Sequence, residues 1–340
     1  MKTLPKILLT LLLFVAPLAA LCQAASDSKT LVKQGVALHD EGKYDEALAK
    51  YNEAVKVDST NATAWYEMSY TLFTMGKGKT AIPYLEKCIA LDPAAAGAYD
   101  VLGSVYDDDG QMDKAIETYL RGIKINPDYQ RLHYNIAITY YRKSMFAESE
   151  RYAINAIKLD PKHASSQRVY AMTTYKENKR GCSLLAWCSF LMLEPQSKRS
   201  AEAFKYVEAI LNYGIKKTGE KKIDITISTQ DLDSGNLLMP MAVATATDDK
   251  KDLAAVDSLE LRLTAVFKIA GSITGEKTDP FVSNYFGKYF VALAATDNMP
   301  AFARLVSLTA YKDDNLKWFK DNDGKLTALS NWIANTKRDF

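Results

Sequence analysis

From residue 28 to residue 197 the chain sets small, apolar and polar side chains in a pattern that returns every 34 residues. Pro93, Pro127, Pro161 and Pro195 stand at that interval, preceded by Leu91-Asp92, Ile125-Asn126, Leu159-Asp160 and Leu193-Glu194. One interval earlier, Val57-Asp58-Ser59 is a fifth and weaker instance. The units are 28–61, 62–95, 96–129, 130–163 and 164–197. Each reads as two helices. A small residue sits near the middle of the first (Gly35, Ser69, Gly103, Ala137, Ala171) and another opens the second (Ala47, Ala81, Ala115, Ser149, Ser183). A third follows one to two turns later (Ala54, Cys88, Gly122, Ala156), with Phe190 as the exception. Small side chains let two helices approach until ridges enter grooves. Leu38, Leu72, Tyr106 and Tyr140 fill space on the first helix; Tyr51, Leu85 and Tyr119 do so on the second. Gly42, Gly76 and Gly110 fall at the turn between helices, where positive φ is often required. Proline then ends the second helix, having no N–H to continue the ladder.

The pattern changes at the fifth unit. Trp187 and Phe190 replace medium and small residues, and a sixth unit in register would put Lys205 and Glu208 on packing positions. Ala203, Phe204, Val207, Ile210 and Leu211 instead form one stripe, which predicts a capping helix over 199–213. Ile223, Ile225 and Ile227 alternate with polar residues beyond the basic turn "KKTGEKK", a half-buried strand pattern that needs a partner. Residues 241–247, "MAVATAT", are one candidate for that partner, although Pro240 also suits a helix start. The remainder of 215–340 predicts helices. Their stripes are Leu253, Val256, Leu263, Phe267 and Ala270; Tyr285, Phe286, Tyr289, Phe290 and Leu293 after Asp279-Pro280; Phe302, Leu305 and Val306 after Met299-Pro300; and Leu326, Leu329 and Trp332. The fold class is therefore all-α: about five helix–turn–helix units with a capping helix, then a mostly helical C-terminal region, 215–340, with one or two short strands.

The third unit carries Tyr99, Leu102, Gly103, Tyr106, Ala115, Tyr119, Gly122 and Pro127. In this it resembles the tetratricopeptide repeat; units two and three match best, one and four well, and five is degenerate. The resemblance spans about half the chain. It implies a right-handed solenoid whose first helices line a concave groove for peptides or proteins. The groove positions it implies are Val32 and Val36; Tyr66, Tyr70 and Phe73; Asp100, Ser104 and Asp107; Tyr134, Ile138 and Tyr141; and Arg168, Met172 and Tyr175, with Arg131 and Arg142 flanking the fourth set. Aromatic side chains of this kind are enriched among interface anchors. Some family members grip a peptide's terminal carboxylate with a Lys/Asn/Asn/Lys/Arg clamp. Val32 and Val36 replace its first two members, so recognition of that type is not expected.

Composition changes the picture mainly at the start. Lys2 and Lys6 precede the apolar run Ile7–Leu21 and the segment Cys22-Gln23-Ala24-Ala25, which predicts a secretory leader over 1–24 cleaved after Ala24. The run is shorter than the ~20 residues of a spanning helix. A lipidated Cys22 is the other reading, although Leu21 stands where a lipobox has a small residue. The chain has 43 basic and 41 acidic residues; losing Lys2 and Lys6 leaves 41 of each, a net charge of zero. A neutral chain lacks the charge that drives binding to nucleic acid. Cys88 takes a small-residue core position, and Cys182 and Cys188 are about 9 Å apart along one helix axis, beyond the ~7 Å reach of a disulfide. His39, His133 and His163 have no metal-ligand spacing, and no nucleophile elbow, CxxC or phosphate loop occurs. Asp107-Asp108-Asp109 lacks the spaced oxygens of a calcium loop and reads as a solvated helix end. No cofactor or metal is expected. The expectation is an exported, periplasmic or secreted scaffold or adaptor for a protein or peptide ligand, touching membrane only through a lipidated Cys22 or a partner. A hydrolase-like enzyme in 215–340 recruited by the repeats, or a chaperone-like binder of exported polypeptides, are the alternatives.

Overall fold

The computed structural model describes residues 27–219, 222–228, 231, 234–247, 253–274 and 280–340. The expected leader over 1–24, and Cys22 with it, lie outside the described residues. The described residues form two compact bodies, divided between Thr139 and Tyr140.

The first body is a row of helix pairs: α1 (residues 27–40) with α2 (Tyr44–Val57), α3 (Ala62–Thr74) with α4 (Gly78–Leu91), α5 (Ala96–Asp108) with α6 (Met112–Ile125), then the start of α7 (Gln130–Arg142). The small residues do what their spacing predicts. A Cβ on Gly35 would lie 2.4 Å from the Tyr51 ring, and one on Gly103 would lie 2.3 Å from the Tyr119 ring. Glycine therefore lets a buried tyrosine lie flat on the neighbouring helix backbone. Each pair turns through the same hydrogen bond: Lys43, Lys77 and Gln111 donate their N–H to the carbonyls of Leu38, Leu72 and Tyr106, all at 2.8 Å. This is a Schellman closure, whose left-handed residue is Gly42, Gly76 or Gly110 (φ 77°, 72° and 77°). In units four and five the same slot holds Ser144 and Asn178 (φ 59° and 61°), which the sequence pattern did not single out. The aspartate that follows the second helix in units one, two and four also has a task. Asp92 Oδ1 accepts from Ala94 N at 3.0 Å, and Asp58 and Asp160 make the same local turn with Thr60 and Lys162.

The second body contains α8 (Phe146–Leu159), α9 (Ala164–Lys176), α10 (Arg180–Leu193) and α11 (Lys198–Leu211). A hairpin follows, β1 (Ile215–Gly219) antiparallel to β2 (Lys222–Ile225), then α12 (Ser234–Thr247), α13 (Ala255–Lys268) and α14 (Ala270–Ile273). The last elements are α15 (Pro280–Val282), a π-helical turn Ser283–Lys288, α16 (Tyr289–Ala294), α17 (Met299–Val306), α18 (Lys312–Asp321) and α19 (Lys325–Asn335). At the centre is α10, buried from Arg180 through Leu191 and packed by α9, α11, α12, α17 and the π turn. Trp187 is covered by the Tyr206 ring of α11, 4.9 Å away and nearly parallel. The bulky fifth unit is thus a core helix, and α11 covers it as the stripe Ala203, Phe204, Val207, Ile210 and Leu211 predicts.

Two expectations are corrected. The partner of the 222–225 strand is the neighbouring 215–219 segment, part of the basic turn, and not 241–247. Residues 241–247 lie in α12, where Asn236, Met239 and Val243 are buried at helical spacing. Pairing with the adjacent segment also closes a far shorter loop. Leu253 precedes α13 and is exposed, leaving Val256, Leu259, Leu263, Val266 and Phe267 as the buried stripe. Cys88 and Cys188 are buried thiols; burial pushes the Cys88 thiol up to about 11.

Candidate functional site

In the first body, the first helices carry the implied groove residues at three recurrent positions. Tyr66, Tyr70 and Phe73 of α3 are all half-buried, as are Val36 of α1 and Tyr134 and Ile138 of α7. The rings of α3 are organised. His39 stacks on Tyr70 with centroids 5.4 Å apart, and Tyr70 stacks on Tyr66 at 6.2 Å and 17°. His39 Nδ1 is fixed by Thr71 Oγ1 at 2.7 Å. Tyr66 reaches across to α5, where its hydroxyl lies 2.8 Å from where a Cβ on Gly97 would be. Burial pushes the Tyr66 phenol well above its usual value, so it stays protonated as a donor at neutral pH. Beside it opens a cleft of about 290 Å³ lined by Tyr66, Gly97, Tyr129, Asp92 and Cys88.

The polar part of this surface is centred on Asp100. Its carboxylate is 1% exposed, accepts from Asn135 Nδ2 at 2.5 Å and meets Arg131 Nε at 3.0 Å. Burial raises its carboxyl, while Arg131 and Asn135 pull it back down. Arg131, expected to flank the groove as a cation, is therefore already engaged, though its side chain remains 55% exposed. Asp107 differs from expectation. It is only 8% exposed, because its position on α5 turns it inward, and the exposed member of the acidic run is Asp108. Asp109 pairs with Lys79 and accepts from Gln111. A second cleft, about 610 Å³, lies between α4 and α6 over Tyr99 and Tyr106, with Glu86, Lys114, Glu117 and Arg121 around it. Its residues come mainly from second helices, so reading only the first helices missed it.

The second body holds the other candidates. Tyr141 is half-buried, with burial raising its phenol and with Tyr206, Arg168 and Glu202 near enough to act on it. Arg142 is exposed. Arg168 Nη2 pairs with Glu202 Oε2 at 3.0 Å, and its Nε is buried with no acceptor among the described residues. Tyr175 meets Tyr206 edge-on at 5.0 Å, and Tyr206 in turn covers Trp187. Tyr206 and Glu202 belong to the predicted capping helix. They were not among the sequence candidates, since the 34-residue interval stops before α11. Among the described residues no helix is long and apolar enough to cross a membrane.

Comparison with known proteins bears on the first half of the chain. Residues 35–76 and 103–144 match the family model described as TPR repeat, and residues 62–94 match the one described as tetratricopeptide repeat. Over 100 residues the chain is 34% identical to Hsp70-Hsp90 organizing protein 1 of Glycine max, covering 29% of this chain and 18% of that protein. Over 109 residues it is 31% identical to DnaJ homolog subfamily C member 3 of Mus musculus, covering 32% of this chain and 22% of that protein. The chain thus spans about a fifth of the length of these relatives. A solved structure of Pseudomonas aeruginosa pilF superposes with a TM-score of 0.50 at 18% identity, covering 56% of this chain and 90% of that one, a likeness of fold alone.

Proposed function

From tetratricopeptide repeats in the N-terminal half, we propose a protein-interaction scaffold whose first body binds an extended or helical segment of a partner protein on the rings of His39, Tyr70 and Tyr66. The observation that carries this reading is the ring stack itself. Three aromatic groups of α1 and α3 are stacked within 27° of parallel and remain partly open to solvent. Tyrosine offers large, rigid contact area at low entropic cost, which is why it anchors interfaces. Next to the stack, the Asp100–Asn135–Arg131 group supplies polar atoms that orient a bound backbone.

The groove chemistry favours an apolar or aromatic segment over an acidic tail. Val32 and Val36 bring neither cation nor amide, and the buried carboxylates of Asp100 and Asp107 stand on the neighbouring first helix. Two relatives are by name an Hsp70-Hsp90 organizing protein and a DnaJ homolog, and the first of these names favours a protein as the ligand. The leader read at 1–24 places this scaffold outside the cytoplasm, where the partner would be an envelope or secreted protein. The test is a Tyr66→Ala/Tyr70→Ala variant of the whole chain, compared with wild type for recovery of partners from the envelope fraction. Removing an interface anchor commonly costs more than ~2 kcal/mol, over tenfold in affinity. The variant should keep its helical circular dichroism and lose the partners. Unchanged recovery refutes the groove, and loss of the fold shows these rings to be core.

A further inference from the structure

Residues 336–340 leave α19 and lay one arginine into a ring of aromatic side chains in the second body. The guanidinium carbon of Arg338 is 3.9 Å from the Tyr289 ring centroid, 4.7 Å from Tyr285, 5.5 Å from Phe290 and 5.9 Å from Phe286. Its Nη1 donates to Ser189 Oγ at 2.8 Å, and Nη2 lies 3.9 Å from Met192 Sδ. All four rings and Ser189 are buried with the arginine in place. The arrangement suits a guanidinium better than an ammonium. A flat cation can stack on ring faces and still send an N–H sideways to a hydroxyl, whereas an ammonium is a compact, strongly hydrated point charge.

Two further features set the cage apart from ordinary tail packing. Tyr285 and Phe286 sit on the π turn Ser283–Lys288. Such turns are rare within helices and are found frequently at functional sites, because they re-aim side chains at some cost in hydrogen bonding. The segment that brings the arginine is held by its side chains, with Phe340 stacked on Phe281 and Tyr285, more than by its backbone. Thr336 N makes the last bond of α19, to Trp332 O, and beyond it Lys337 and Asp339 are exposed. Phe340 stacks 5.7 Å from Tyr285 yet remains 60% exposed.

We propose that this cage is a guanidinium-binding site, that Arg338 occupies it in cis, and that an arginine-bearing segment of a partner protein takes its place when residues 336–340 lift away. The chemistry of the partner is that of the resident occupant, an arginine followed by an acidic or aromatic residue. The rings explain why the site stays filled: uncovered, they would expose a contiguous apolar patch of the kind that marks interaction surfaces.

The probe is a fluorescent peptide copying residues 336–340, Thr-Lys-Arg-Asp-Phe, blocked at both ends and titrated into the full chain. Arg338→Ala should bind it saturably and at least tenfold more tightly than wild type, whose cage is filled. Replacing the peptide's arginine by alanine should abolish binding, and replacing it by lysine should weaken it. Equal binding by wild type and variant, indifference to the arginine, or no binding by a folded variant each overturns the proposal. Collapse of Arg338→Ala also overturns it, since Arg338 is then core and not a displaceable ligand.

Discussion

Gly103→Ala places a methyl group where the Tyr119 ring already is. The new Cβ would lie 2.3, 2.6 and 2.7 Å from Cε1, Cδ1 and Cζ of that ring. Ordinary carbon contacts fall near ~3.5–4.0 Å, so the ring or the helix must retreat by about 1 Å. The ring has little room to do so: Tyr119 is fully buried and its hydroxyl lies 3.2 Å from Ser104 Oγ. Overpacking of this kind costs about 1–3 kcal/mol. Against it stands the better helix propensity of alanine, worth up to about 1 kcal/mol. The net expectation is a loss of about 1–2 kcal/mol, read as a lower urea midpoint with unchanged slope. Gly271→Ala is the control, because nothing lies within 4 Å of its Cβ position. Alanine should be neutral or stabilising there. Adding Tyr119→Leu to Gly103→Ala should give back part of the loss, a coupling that appears only if the two residues touch. If Gly103→Ala behaves like Gly271→Ala, the packing account of the 34-residue pattern fails.

Three other outcomes follow from particular contacts. Asp231→Ala should cost up to about 3–5 kcal/mol, because Arg180, buried and 2.7 Å from Asp231 Oδ1, loses its carboxylate and is left with Asn178 Oδ1 and the Tyr213 ring. Burial alone would raise the Asp231 carboxyl, but hydrogen bonds from Asn178, Arg180 and Ser228 hold it well below the usual range. The stability it contributes is therefore full above the unfolded aspartate value of ~3.9 and is lost only as pH falls through the lower folded value, which denaturation of wild type and variant across acid pH would show. Arg131→Ala has the opposite sign. Asp100 is raised by burial, so its contribution to stability is greatest below ~3.9 and falls as pH rises through the folded value; removing Arg131 raises it further, and the variant should lose more than wild type from about pH 4 upward. For the leader, the intact mass of protein from the envelope fraction should correspond to a chain beginning at Ala25, and retention of Met1 would overturn export.

The repeats were legible because their physics is local and recurs. Gly103 meets Tyr119 sixteen residues away, Gly110 supplies its own left-handed turn, and Asp92 closes on Ala94, so one 34-residue window holds nearly every contact that shapes a pair. Helical stripes were legible farther on for the same reason, down to Val256, Leu263 and Phe267 of α13. What the sequence alone did not determine is what those stripes face. That Asp107 turns inward and that Arg131 is held by Asp100 depend on the side chains of neighbouring helices. That α10 becomes the buried centre of the second body, and that Arg338 finds Ser189 across 149 residues, depends on long-range packing. Such contacts have no period for a sequence to repeat. They are selected by which apolar faces exclude water together, and only the assembled tertiary structure decides that.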